Sequence, residues 1–280
     1  MPQELKRAAR AIEEADANVI GAGAGMGVDS GLPNFRGPRG FWRAYPPYER
    51  LHLDFHSIAN PALFTVNPAL AWGFYGHRLK MYRTTRPHAG FEILRLWSEK
   101  KPFGSFVYTS NVDGQFQKSG FEPERVTEVH GSIHYLQCTQ NCGIGVFPAE
   151  NLQVEVDENT MTALAPLPAC PNCYALAHPN ILMFGDWNWD SARIEAQEEL
   201  FDNWIREVKD AGARPVVIEL GAGTAIPTIR NESERLSNAF SCQLIRINLD
   251  ESQVSTGQIS LAAGAKAALV ALQEMMVPLL

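Results

Sequence analysis

Residues 17–37 read ANVIGAGAGMGVDSGLPNFRG. An apolar start runs into a segment with five glycines between Gly21 and Gly31, and the stretch then closes on Pro33, Asn34, Phe35 and Arg36. The first part predicts a short buried strand ending in a glycine turn. Glycines let a backbone approach a pyrophosphate closely, and successive N–H groups with a helix N-terminus balance its charge. A tight strand-to-helix turn with no ligand has the same pattern. The tail separates the two readings. A plain dinucleotide fingerprint continues as a helix, whereas Pro33–Arg36 reads as a loop able to fold over a ligand.

Three further stretches have the same polarity along the chain. SFVYTSNVD (105–113), PVVIELGAGT (215–224) and QLIRINLD (243–250) each run from apolar to Gly, Asn, Asp, Ser or Thr. Between them lie helical patterns, among them HAGFEILRLWSEK (88–100) and SARIEAQEELFDNWIREVKDAG (191–212), and the first residues form an amphipathic helix. Apolar runs alternating with helices indicate buried parallel strands of an α/β sheet. In such sheets ligands bind at the carboxyl ends of the strands, so the shared polar endings predict one common site. Two segments do not fit the sheet. Residues 38–89 are rich in aromatics, Pro and His and read as helices with loops, and residues 135–178 hold two cysteine pairs and Pro-rich turns. Both read as insertions building a second, smaller lobe.

The chain has 280 residues, 45% of them hydrophobic, enough for one large domain or one large and one small. A formal charge of -7 argues against a nucleic-acid sheath or a binder of anionic membranes. No apolar run approaches a membrane span, and the N-terminus has no signal-type core. A cytoplasmic location is expected. In a reducing compartment, paired cysteines bind metal more often than they form disulfides. Three residues lie between Cys138 and Cys142, two between Cys170 and Cys173, and twenty-seven between the pairs. Four thiolates at these spacings suit a closed, structural tetrahedral zinc, with free buried thiols as the alternative. Cys242 is expected in the core.

These motifs together resemble the sirtuins, NAD-dependent protein deacylases, in a divergent bacterial form. The family's Gly-Ala-Gly and Ser-Gly-Ile-Pro-Asp-Phe-Arg correspond to Gly23, Ala24, Gly25 and to Ser30–Arg36, with Gly27 at the family's first serine and Asn34 at its aspartate. Its Thr-Gln-Asn-Ile-Asp-Gly corresponds to Thr109–Gly114, with Ser110 in place of Gln. His130 lies in the family's His-Gly setting, before the first cysteine pair. PNILMFGDW (179–187) is similar to its Val-Val-x-Phe-Gly-Glu, GAGTAIPTI (221–229) to its Gly-Thr-Ser with Ala225 at the serine, and INLDE (247–251) to its Ile-Asn-x-Glu.

The resemblance implies a Rossmann-like parallel-sheet domain formed by residues 1–37, 90–134 and 179–280. The helical module 38–89 and the zinc module 135–178 would form the small lobe. NAD would be a consumed co-substrate. Its pyrophosphate would lie on the amides of residues 23–31, with Phe35 and Arg36 closing over the nicotinamide ribose. Cofactor contacts fall on Gly23, Ala24, Gly25, Asp29, Phe35, Arg36, Ser110, Asn111, Val112, Asp113, His130, Gly223, Thr224, Ala225, Asn248, Leu249, Asp250 and Gly264. His130 is expected as general base, with Asn111 beside it as the second catalytic residue. His134 has no matching family role and reads as structural. Cys138, Cys142, Cys170 and Cys173 would hold zinc. Leu182, Phe184 and Gly185 would pair with an acylated protein or peptide by strand addition.

Tyr75 and Arg78, three apart in AWGFYGHRLKMY, match the Tyr-x-x-Arg of sirtuins that remove succinyl and malonyl groups. The competing reading is a core tyrosine beside a solvated arginine. Two other functions stay open on the same fold. Gly27, Ser110 and Ala225 resemble a transferase-type branch, which favours mono-ADP-ribosyl transfer or NAD hydrolysis, but that branch lacks the histidine present here as His130. A catalytically inactive NAD sensor is the third possibility.

Overall fold

The computed structural model describes residues 2–33 and 37–276. Its frame is a six-stranded sheet of β1 (Ala17–Ala22), β2 (Ser105–Thr109), β3 (Val126–Glu128), β9 (Pro215–Leu220), β10 (Leu244–Ile247) and β11 (Ile259–Leu261). The spatial order is β11-β10-β9-β1-β2-β3 and every pairing is parallel. Taken in chain order, the order reverses between β1 and β9, which is the switch point where open α/β sheets open a crevice. Two of the six strands, β3 and β11, are additions to the four that the sequence pattern marks.

Side-chain alternation explains how the sheet is covered. From β1, Ile20 and Ala22 face one layer with Val107, Ile218, Leu220 and Ile245. That face is closed by α1 (Pro2–Glu14), α8 (Ala89–Glu99) and α12 (Ala265–Met276). Ala17 and Val19 face the other layer with Phe106 and Val217, under α10 (Ala192–Asp210) and α11 (Thr228–Phe240). On this second side sits a buried charge cluster. The Arg246 guanidinium forks onto Glu219 at 2.6 and 2.9 Å and also reaches Glu234 at 2.9 Å. Arg246 is 2% exposed and Glu219 is fully buried.

The remaining chain packs differently. α3 (Gly37–Ala44), α4 (Pro46–Arg50), α5 (Phe55–Ile58), α6 (Ala62–Val66) and α7 (Pro68–Thr84) follow the glycine turn, α2 (Gly25–Val28). After β2 come the short α9 (Gln115–Lys118) and a single 3-10 turn at Pro123–Arg125. Beyond β3 lies a three-stranded antiparallel sheet in the order β5-β4-β8, made of β4 (Gly131–Cys138), β5 (Phe147–Pro148) and β8 (Ala177–Ile181). A two-residue pair, β6 (Val156–Asp157) and β7 (Thr162–Ala163), packs on α7. Their shared core is aromatic: Phe41, Tyr45, Tyr48, Trp72, Phe74 and Tyr75 are all buried. Cys242 is half-buried against Phe106 and Leu236 and their neighbours, as expected of a packing cysteine. Among the described residues no helix is long and apolar enough to cross a membrane.

Candidate active site

The glycine turn and the turn after β9 touch at the switch point. A Cβ on Gly23 would lie 2.7 Å from the Ala222 Cα, and one on Gly25 would lie 2.6 Å from the Gly221 Cα. Gly221 itself has φ +60°, a conformation that favours glycine. The glycines therefore serve first to bring two backbones together. The amides of the turn are also largely spent. Gly23 N–H donates to Leu220, Gly25 to Gly221, Met26 to Gly23, Gly27 to Ala24, Ser30 to Gly27 and Gly31 to Val28. The chain curls at once into the one-turn α2, so its N–H groups close on its own carbonyls. Instead of the open row of amides expected over 23–31, the turn presents an exposed Ala24 between two glycines.

The loop after β2 is fastened to this turn. Asn111 Nδ2 donates to the Gly23 carbonyl at 3.0 Å, and Thr109 Oγ1 donates to Ala22 at 2.8 Å while accepting from Asn111 N–H. Ser110 and Asn111 are half-buried and Val112 and Asp113 buried. Burial is the main cause that lifts the Asp113 carboxyl to about 6, against a hydrogen bond from Gln115 N–H and the Arg78 charge, with Glu128 pushing the same way as burial. His130 stands at the head of β4, half-buried. Burial holds its pKa below the ordinary histidine value, opposed by a hydrogen bond to the Ser110 backbone. The imidazole is therefore neutral at pH 7 and able to accept a proton.

On the other side of the switch point, Thr224 is exposed and bonded through its N–H and hydroxyl to the Glu251 carboxylate. Asn248 is buried, and its amide holds the loop: Nδ2 donates to Ala222 at 2.8 Å and Oδ1 accepts from Asp250 and Glu251 N–H. Leu249, Asp250 and Ala225 are exposed and Gly223 half-buried along the same rim. The Asp29 carboxylate accepts from Lys266 N–H at 2.8 Å, at the head of α12, and Gly264 lies against it. The sequence reading missed Glu251, whose neighbour Asp250 carries the motif's acid. It also missed His88, whose Nε2 donates to the Met26 carbonyl at 2.9 Å and whose Nδ1 accepts from Gly90 N–H. His88 thereby pins α2 to the start of α8, and its signal was the helix-start position after Pro87.

The four cysteine sulfurs all lie within 4.8 Å of one another. Cys138 and Cys173 are 3.5 Å apart, as are Cys142 and Cys170, and none is disulfide-bonded. Four sulfurs about 2.3 Å from a central ion stand roughly 3.8 Å apart, so this tetrad fits a tetrahedral zinc. Within the tetrad the thiols differ: Asn172 first, then Ile144 N–H, draws Cys142 down to about 6, whereas Cys173, against a hydrogen bond from Ala175 N–H, is pushed up to about 12 by Cys138, burial and the other two thiols. The preceding residue on β4, Gln137, accepts from Asn180 and from Asp190 N–H and donates to Asn188, binding the 186–190 loop to the cysteine strand.

The segment Leu182–Gly185 leaves β8 beside His130. Leu182 N–H donates to the His130 carbonyl at 2.9 Å and Phe184 N–H to that of Ala59 at 2.9 Å. Leu182 is 41% exposed, Phe184 stacks on His56, and Gly185 has φ +69°. Tyr75 and Arg78 share a face of α7, as their spacing predicts, but both are buried. The solvated-arginine alternative is therefore wrong. Arg78 Nε and Nη2 donate to the Tyr82 hydroxyl at 2.9 and 2.6 Å, and its guanidinium lies 5.0 Å from the Phe74 ring centre. The Tyr75 hydroxyl is buried with no hydrogen-bond partner among the described residues. Phe35 and Arg36 lie outside the described residues.

Fold and site define an α/β protein with a Rossmann-type switch point and a four-cysteine module whose geometry fits a metal. Sequence comparison agrees: the Sir2 family matches residues 23–207, and the chain belongs to that family. It resembles an NAD-dependent protein deacylase of Leptospira interrogans, 32% identical over 167 residues, which make up 59% of this chain and 58% of that relative. A deacylase of Pyrobaculum aerophilum is 28% identical over 85% of this chain and 81% of its own. The match thus spans somewhat over half of the Leptospira relative's length. A Sir2 homologue mutant solved with ADP-ribose superposes with a TM-score of 0.71 at 24% identity, over 98% of this chain and 97% of that one. A Sir2 homologue–NAD complex superposes at 0.70 and 23% identity, over 98% and 94%.

Proposed function

We propose that this chain is an NAD-dependent protein-lysine deacylase that releases nicotinamide, free lysine and O-acyl-ADP-ribose. The observation that carries the reading is the meeting of a neutral, half-buried His130 with two other groups. One is the loop that carries Asn111 and Asp113, whose Ser110 backbone bonds to the imidazole; the other is the Leu182–Gly185 edge, where Leu182 N–H donates to the His130 carbonyl. The deacylase relatives and the Sir2 structure solved with a propionylated peptide support it.

In this reading Asp113 takes the nicotinamide carboxamide in a pocket that excludes water, and Asn111 holds a ribose hydroxyl or water. An acyl-lysine laid along Leu182–Gly185 presents its acyl oxygen to C1′ of the ribose as the nicotinamide bond breaks. His130 then accepts the proton of a ribose hydroxyl, whose oxygen attacks the former acyl carbon, and water completes release. Ala24, Gly223, Thr224, Asp250 and their neighbours would line the adenosine and pyrophosphate end. Zinc, held by Cys138, Cys142, Cys170 and Cys173, would keep the small module folded without entering the chemistry. Residues 1–37, 90–134 and 179–280 would bind NAD, and 38–89 with 135–178 would form the small lobe.

Mono-ADP-ribosyl transfer is the second reading. A Cβ at Gly27 would sit 3.7 Å from Asp113 Oδ2, so the family's serine hydroxyl is missing from beside that carboxylate. Incubating the protein with NAD and an acylated peptide, followed by mass spectrometry, tests both readings. O-acyl-ADP-ribose supports deacylation. ADP-ribose attached to protein, with the acyl-lysine intact, would replace it by the second reading.

The acyl group is read as acidic. Arg78 Nε and Nη2 donate to the Tyr82 hydroxyl, so an incoming carboxylate would take the place of Tyr82 on the fork through parallel charged hydrogen bonds, and the Tyr75 hydroxyl on the same helix face can add another. Succinyl- or malonyl-peptide is expected to exceed acetyl-peptide in kcat/KM, with Arg78→Met reversing the order. An acetyl preference that the variant leaves unchanged would refute this.

A further inference from the structure

We propose that His134 is a positioning residue for the nicotinamide end of the site, acting through the backbone of Asp113. This rests on the reading of Asp113 given above. β4 fastens the 110–114 loop at three points. His130 bonds to the Ser110 backbone, Ile133 N–H donates to the Val112 carbonyl at 3.0 Å, and His134 Nε2 donates to the Asp113 carbonyl at 3.0 Å. The second of these is a backbone bond that any residue makes, and the third exists only because residue 134 is a histidine.

The ring also fixes the turn sterically. Gly114 has φ +69°, and a Cβ built there would stand 2.8 Å from both Cδ2 and Nε2 of His134. The imidazole therefore lies on the face that a side chain at 114 would occupy. The Asp113 carboxylate accepts from Gln115 N–H at 3.0 Å, closing a small ring over the same glycine. Carbonyl and carboxylate of Asp113 are thus held on the two sides of one turn, and freeing the carbonyl lets the carboxylate move.

Its donor role puts the proton of the neutral ring on Nε2. Burial is the main cause holding the pKa down, with Arg83 and Lys118 acting in the same direction; the bond to Asp113 and the charge of Glu128 oppose them. A neutral donor orients Asp113 without adding a full positive charge beside a carboxyl that already titrates near 6.

The test is calorimetric binding of nicotinamide and of NAD to the zinc-loaded full chain, for wild type, His134→Ala, His134→Gln and Asp113→Asn. A lost positioning hydrogen bond is expected to weaken both ligands by about tenfold in His134→Ala. Acyl-peptide affinity and zinc content should stay at the wild-type level, and His134→Gln, which keeps an N–H donor, should recover most of the loss. Wild-type nicotinamide affinity in His134→Ala, alongside weakened Asp113→Asn, overturns the role of His134 alone. Wild-type affinity in Asp113→Asn overturns the reading of Asp113 and the inference with it. If His134→Ala is insoluble, His134→Leu against His134→Gln carries the test, and equal affinities in that pair overturn the proposal.

Discussion

The two parts of this molecule are held together by different means. The sheet has six parallel strands whose alternating side chains bury aliphatic layers on both faces. The other part has strands as short as two residues, four brief helices beside the long α7 and an aromatic cluster, and its cysteine tetrad gathers chain from Cys138 to Cys173. A hydrogen-bonded sheet with a double-sided core is expected to hold without a metal, whereas the cysteine segment, with so little regular pairing, is expected to draw its stability from a bound ion. In the proposed reading, NAD would lie on the first part and the acyl group at the seam between the two.

Zinc removal is expected to have the largest effect and to affect the two parts unequally. Structural zinc binding in small peptide sites is worth about 10–16 kcal/mol. Wild-type protein is expected to carry one zinc, and Cys170→Ala none. Hydrogen exchange in Cys170→Ala should lose protection across 138–177 while β1, β2 and β9 keep theirs. Uniform loss of protection, or a folded zinc-free module, would contradict the division.

A smaller effect is expected inside the sheet. Arg246→Leu leaves Glu219 buried without its forked partner, and breaking a buried pair typically costs about 3–5 kcal/mol. The denaturation midpoint should fall accordingly, and Arg246→Leu combined with Glu219→Leu should recover much of the loss. An unchanged midpoint in Arg246→Leu would show that the pair does not hold the sheet.

The smallest effect concerns the seam. Native Asp113 keeps its proton to about 6, whereas an unfolded aspartate loses it near about 3.9. The native state therefore binds more protons between these values, and stability falls as pH rises through that window. Asp113→Asn should remove this slope, seen as midpoints of wild type and variant that diverge from about pH 4 to 6 and run parallel above it. Parallel curves throughout would show that Asp113 is not desolvated.

Much of this was legible in residue order. The four apolar runs with polar ends marked β1, β2, β9 and β10 because a strand buried on both faces is mostly apolar, even where Glu219 and Arg246 pair inside it. β3 and β11 escaped because three residues carry no period. The cysteine spacing marked the tetrad, since metal geometry restricts the ligand positions. What the sequence could not supply was how turns meet. Gly23 and Gly25 read as phosphate glycines, yet they are required by Gly221 and Ala222 across the switch point. Asn248 read as a ribose ligand, yet its amide is engaged in building its own loop. Arg78 read as either solvated or substrate-facing, and only packing places it under Tyr82.

In the proposed reaction a neutral His130 at the head of β4 is the base of an NAD-consuming deacylation. The direct measurement is single-turnover release of nicotinamide and of O-acyl-ADP-ribose by wild type and His130→Ala, with NAD affinity measured in parallel. Loss of general-base help is expected to slow O-acyl-ADP-ribose formation by about 10²–10⁴ while NAD binding is retained. O-acyl-ADP-ribose formed at the wild-type rate by His130→Ala would contradict the account.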